Sequence, residues 1–110
     1  MKIVINDEFG GFGLSLEAES MYLEKKGIAH EIVDSTFSIL GGKEVVAING
    51  DHPGFRRDDP DLVSVVEELG TVANGYCSHL KIVEIPDDVK WDIEEYDGLE
   101  HVAEKHRVWY

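Results

Sequence analysis

The stretch Asn6-Asp7-Glu8-Phe9-Gly10-Gly11-Phe12-Gly13-Leu14-Ser15 constrains this chain more than any other. Three of its ten residues are glycines, crowded between an apolar β-branched run, Lys2 to Ile5, and the first helical pattern. Glycine there permits positive φ or a close backbone approach. Ser15 is placed to cap the following helix, whose N-terminus then presents backbone N–H groups and a positive dipole end. Such a segment suits either an anion site or an ordinary tight strand-to-helix turn. It lacks the lysine of a P-loop and the GxGxxG spacing of a dinucleotide fold.

From Ser15 to Lys26 the spacing is helical: Ala18, Met21 and Tyr22 fall at i, i+3 and i+4, and Leu16 and Leu23 at i and i+7. Glu17 and Glu19 near its start and Lys25 and Lys26 near its end suit the helix dipole, and Gly27 supplies a left-handed stop. A strand is expected over Ile28 to Val33. Phe37 to Leu40, Gly41-Gly42 and Glu44 to Ile48 then read as a hairpin, with Val45, Val46 and Ile48 facing a core.

The segment from Asn49 to Asp58 is irregular, with the glycine, proline and asparagine content of a surface loop. A second helix starts after it: Asp59 at the cap, Pro60 at the first helical position, and Leu62, Val65, Val66 and Leu69 on one apolar face. Gly70 ends or kinks it. Leu80 to Ile85 is a further strand, stopped by Pro86. Between Asp87 and Glu100 stand seven acidic residues and one lysine, with Trp91 and Ile93 alternating against Asp92 and Glu94. Asp97-Gly98 signals a turn, so Leu99 onward is taken as a return strand, although Leu99, Val102, Ala103 and His106 also fit helical spacing. The chain is therefore expected to be one α+β domain over residues 1–110, a small mixed or antiparallel sheet with two main helices in a single layer on one face.

The formal charge is −13, from 23 acidic against 10 basic residues, which argues against binding a nucleic acid by phosphate neutralisation. Cys77 is the only cysteine, which excludes an intrachain disulfide and points to a reducing cytoplasm. No stretch approaches the ~20 apolar residues of a membrane helix, and the early Asn6-Asp7-Glu8 interruption does not read as a signal peptide.

The runs Ile3-Val4-Ile5-Asn6 through Gly10-Gly11-Phe12-Gly13-Leu14-Ser15, Arg57-Asp58-Asp59-Pro60-Asp61-Leu62-Val63 through Glu67-Glu68-Leu69-Gly70, and Ile85-Pro86 through Trp91, Glu95-Tyr96-Asp97-Gly98, His106-Arg107 and Trp109 span nearly the whole chain. Together they resemble a family of small bacteriophage and prophage proteins. The resemblance implies a phage-type context, in which small accessory proteins often counter host defence, and it names no activity.

Among the chemistry-bearing residues, Arg56 and Arg57 are two of only three arginines and stand together in the irregular loop. The guanidinium fork recognises phosphate or carboxylate in two-point fashion, so the pair reads as an anion clamp or as partners of nearby Asp58 and Asp59. His101 and His106, with Glu100 and Glu104, match no common zinc spacing, so no metal is expected. His106 and Arg107 with Trp109 and Tyr110 suit stacking and phosphate pairing. Cys77 and Ser15 sit in no nucleophile motif. No cofactor is implied, and a binding role is favoured over an enzymatic one.

Two functions are open on these residues. In the first, Gly10, Gly11, Phe12, Gly13, Ser15, Arg56, Arg57, Tyr96, His106, Arg107 and Trp109 bind an anionic, nucleotide-like small molecule, such as a host defence signal, at the interface of a homo-oligomer. In the second, the acidic stretch from Asp87 to Glu100, with Trp91 and Tyr96 as aromatic anchors, covers a basic surface of another protein. The localised glycine and arginine features favour the first.

Overall fold

The computed structural model describes residues 1–35 and 42–105. Its elements run β1 (Lys2–Asn6), α1 (Leu16–Lys25), β2 (His30–Asp34), β3 (Lys43–Ala47), α2 (Pro60–Leu69), a 3-10 turn (Gly70–Ala73), β4 (Leu80–Glu84), β5 (Trp91–Tyr96) and β6 (Leu99–Glu104). The class is α+β, and every strand pair is antiparallel. The strands form three two-stranded ladders, β1 with β4, β2 with β3, and β5 with β6. The two helices pack on each other, α2 also covering β1 and β4 and α1 covering β3.

Local chemistry sets the helix ends. The Ser15 hydroxyl accepts from the Ala18 N–H at 3.1 Å, and the Asp59 carboxylate accepts from the Asp61 N–H at 2.9 Å. Both caps are those expected from the sequence. Pro60 opens α2 without losing a hydrogen bond, since its missing N–H belongs to the first turn. Leu62, Val63, Val65 and Val66 of α2 meet Ala18, Tyr22 and Leu23 of α1, with Val4, Val45, Ala73 and Leu80, in one apolar cluster. β1 is buried on both sides, Ile3 and Ile5 as well as Val4 and Asn6, although it has only β4 as ladder partner.

β3 departs from expectation. Val45 is buried, but Val46 is 38% and Ile48 59% exposed. Consecutive strand residues point to opposite faces, so Val45 and Val46 cannot both enter the core, and Ile48 shares the face of Val46. β3 pairs with β2, Ile32 opposite Val45. The Phe37 to Leu40 arm of the expected hairpin lies outside the described residues.

The closing hairpin is as expected. Asp97 (φ 49°) and Gly98 (φ 89°) both take positive φ, as a two-residue turn between twisted strands requires. Ile93 faces Val102 and Glu94 faces His101 across it.

Asn6, fully buried at the end of β1, fastens this hairpin to the body. Its Nδ2 donates to the Glu8 carbonyl at 2.6 Å and the Gly98 carbonyl at 2.7 Å, while its Oδ1 accepts from the His79 N–H at 2.9 Å. Asn6→Ala leaves these groups unpaired and is expected to cost about 3 kcal/mol. Urea unfolding measures this; a loss below about 1 kcal/mol would mean that water replaces the amide.

Candidate functional site

Gly10 meets a neighbouring segment rather than an open cradle, and Gly98 packs on the same loop from the hairpin turn. A Cβ on Gly10 would lie 2.8 Å from both the Cβ and the carbonyl oxygen of Cys77, and one on Gly98 would lie 2.1 Å from the Gly11 nitrogen. The Gly10 N–H donates to the Asp97 carbonyl at 2.9 Å. The Gly13 carbonyl accepts from the Ser78 hydroxyl at 2.7 Å, and the Ser15 N–H donates to the Ala73 carbonyl at 2.9 Å. Close contact thus requires glycine at Gly10, and Gly11 needs it for its positive φ of 107°, whereas a Cβ on Gly13 would meet nothing within 4 Å. The N–H groups of Gly10 and Ser15 and the Ser15 hydroxyl are already engaged within the chain.

The two adjacent arginines have different roles. Arg57 places its fork on the Glu100 carboxylate at 2.5 and 2.9 Å, 43 residues away, and its guanidinium carbon lies 3.6 Å from the centroid of the Phe12 ring. The same Glu100 oxygen accepts from the Asn6 N–H at 2.8 Å. Both members of the pair are largely removed from solvent. Arg57 therefore pairs with a carboxylate, as one reading of the sequence expects, but the partner is Glu100 of β6 rather than Asp58 or Asp59; Asp59 is itself buried and taken by Lys26, Tyr22 and the Asp61 N–H. Arg56 is 80% exposed at its side chain and reaches only Asp58, at 3.3 Å.

Behind Phe12 a row of rings continues: Phe12 to Phe55 at 6.1 Å, Phe55 to Tyr22 at 5.3 Å, and Phe55 to His52 edge-on at 5.2 Å. His52 Nδ1 accepts from the Gly54 N–H at 3.0 Å, so in the neutral ring Nε2 carries the proton and donates to Glu19 at 3.0 Å. Phe55 and His52 therefore pin the irregular loop against α1. Sequence reasoning passed over both, although an aromatic two residues before Arg57 in a polar loop was the available signal.

A polar knot lies under this row. The Tyr22 hydroxyl sits 2.9 Å from both the Gly54 carbonyl and Asp59, and Lys26 bridges Asp59 at 2.7 Å and Asp61 at 3.0 Å. Burial, then the Asp59 carboxylate, pushes the Tyr22 phenol up to about 12. Burial works against an ionised Asp59, but the hydrogen bonds from Lys26, the Asp61 N–H and Tyr22 together hold it below the ordinary carboxylate value. The hydrogen bonds to Asp59 and Asp61 raise Lys26 above an ordinary lysine.

Of the residues singled out from the sequence, Gly10, Gly11, Phe12, Gly13, Ser15 and Arg57 come together, and the turn after Tyr96 joins them through Asp97 and Gly98. Arg56 stands exposed beside Arg57. Tyr96 is 73% exposed. His106, Arg107 and Trp109 lie outside the described residues; the Lys105 N–H donates to the Lys90 carbonyl at 2.8 Å, at the end of the hairpin away from its turn. His101 pairs with Glu94 at 3.0 Å. Among the described residues no group of three or more His, Cys, Asp or Glu could hold a metal ion, and no helix is long and apolar enough to cross a membrane. One cavity of about 450 Å³ is lined by Met1, Lys2, Asp58, Pro60, Val63, Glu67 and Asp87. Another, of about 430 Å³, lies between α1 and Ile32. Neither is lined by a candidate residue. No family model, curated protein or solved structure matches the chain.

The pKa shifts fix how stability depends on pH. Tyr22 is raised in the folded state, so its contribution is complete below its ordinary value of 10.0 and is lost as pH rises towards 12. Asp59 is depressed, so its contribution is complete above its ordinary value of 3.8 and is lost as pH falls below it. The unfolding free energy of Tyr22→Phe in urea should be lower than that of wild type by about 1 kcal/mol at neutral pH, with the gap closing as pH rises above 10. A gap independent of pH would contradict the assignment.

Proposed function

We propose that this is a phage-type accessory protein that binds an anionic, nucleotide-like small molecule and thereby sequesters a host defence signal. The observation that supports the reading is the stack of Arg57 on Phe12 at 3.6 Å, which joins the glycine loop to the arginine pair. Beyond Phe12 the rings run on, tilted by 53° to Phe55 and edge-on to His52, a partly exposed aromatic cluster that a base can meet. Arg57 is fixed by Glu100 and orients the cluster, while the exposed fork of Arg56 supplies the charge for a phosphate. The two cavities described above lie away from this region, and the reading assigns the enclosing wall to a second copy of the chain, in a homo-oligomer. His106, Arg107 and Trp109 would add stacking and charge.

Native mass spectrometry of the purified protein, compared with the denatured chain, tests this directly. The expected result is an oligomer carrying extra mass, absorbing near 260 nm, or one that gains mass with a panel of linear and cyclic nucleotides. Arg56→Ala leaves the Arg57–Glu100 pair intact and should weaken nucleotide binding about tenfold, the worth of one charge-assisted contact, with the thermal midpoint unchanged. A chain that takes up no nucleotide, or an Arg56→Ala protein that binds as wild type does, overturns the reading.

A further inference from the structure

The exposed phenylalanine and tyrosine side chains among the described residues stand on backbone next to the place where three chain segments touch. Phe9 is 57%, Tyr76 94% and Tyr96 73% exposed, whereas the other exposed large apolar residues, Ile32, Val46, Ile48 and Val72, are aliphatic. Each aromatic directly precedes a residue of the junction already described. Phe9 precedes Gly10, whose N–H donates to Asp97. Tyr76 precedes Cys77, which leaves no room for a Cβ on Gly10. Tyr96 precedes Asp97 itself. Backbones in contact cannot drift apart, so these rings project from anchored backbone, and binding a partner orders only their side-chain rotamers.

Bare tyrosine rings of this kind are enriched in interfaces, where one flat side chain gives both apolar area and a polar tip. The charge around them selects the partner. Asp7, Glu8 and Asp97 are exposed in the same loops, Glu95 is exposed at the end of β5 with its carboxylate accepting from the Gly98 N–H at 3.0 Å, and residues 7–11, 75–79 and 95–98 contain no lysine or arginine. Ring faces carry a negative quadrupole, and with these carboxylates they attract cations. A guanidinium fits better than an ammonium, because it is planar and weakly hydrated, stacks on rings and grips carboxylates in two-point fashion. The molecule already contains one example of that chemistry, Arg57 lying on Phe12 while held by Glu100.

We propose that Phe9, Tyr76 and Tyr96, with the carboxylates beside them, form a docking surface for an arginine-rich segment of a partner protein. The surface uses none of the arginines assigned to the small-molecule site, so either can fail without the other.

The test is binding of a nona-arginine and a nona-lysine peptide to the full chain at low salt, for wild type and for Tyr76→Ala plus Tyr96→Ala. The double variant keeps the net charge and therefore the long-range attraction. The arginine peptide should bind wild type more tightly than the lysine peptide. The double variant should weaken arginine binding about tenfold, the combined worth of two exposed cation–π contacts, and should leave lysine binding nearly unchanged. Equal circular dichroism melts confirm that the variant is folded, as expected for such exposed rings. Arginine binding unaffected by the double variant would reduce the attraction to net charge and overturn the proposal. So would equal affinity for the two peptides, or displacement of the arginine peptide by free adenosine, which would make the rings a base-stacking platform.

Discussion

The buried ion pair between Arg57 and Glu100 is the contact on which the rest of the molecule depends. It ties the irregular loop before α2 to the last hairpin, across the end of β1. A charge removed from water is tolerated only when its hydrogen bonds are replaced, and here they are. Glu100 receives the guanidinium fork and the Asn6 N–H, and Arg57 gains the face of Phe12. Removing one partner of such a pair generally costs about 3–5 kcal/mol, because the other is left buried and uncompensated. An isolated two-stranded hairpin is marginal in water, so β5 and β6 rely on this attachment and on the turn clasped by Asn6 and Gly10.

This use of Arg57 decides what remains for function. In a chain of charge −13, an arginine committed to the interior cannot also be a two-point anion grip, so the exposed charge passes to Arg56. The glycine loop is similarly committed, its close approaches serving the contacts with Cys77, Gly75 and Gly98. Surface chemistry is left to side chains just outside that packing. The aromatic cluster behind Phe12 lies on one side, and the bare rings of Phe9, Tyr76 and Tyr96 lie on the loops at the hairpin turn.

Much of the architecture was legible from local signals. The Ser15 and Asp59 caps, Pro60 at the start of α2, and Asp97-Gly98 between two alternating strands each act within a few residues, and each forms the element that its chemistry favours. What the sequence concealed was non-local. Nothing near Arg57 indicates that its partner is Glu100 rather than Asp58, because that choice is made by β1 and β6 lying side by side. The reason for Gly10 and Gly98 was hidden for the same cause, since the segments they approach are many residues away. The misplacement of Val46 and Ile48 was instead avoidable, because strand alternation alone places Val46 opposite Val45. Phe55 escaped notice because a loop composition rich in glycine and proline obscured an aromatic that packs against Tyr22.

Amide hydrogen exchange of wild type and Arg57→Lys tests the central claim most directly, since lysine keeps the charge but cannot supply the planar fork or the stack. If the ion pair is the fastening of the hairpin, protection should fall at the Asn6 N–H and throughout β5 and β6, while α1, α2 and the β1–β4 ladder beyond Asn6 exchange as in wild type. Protection in β5 and β6 that survives the substitution would contradict the account, because the hairpin would then be held by something other than Arg57 and Glu100.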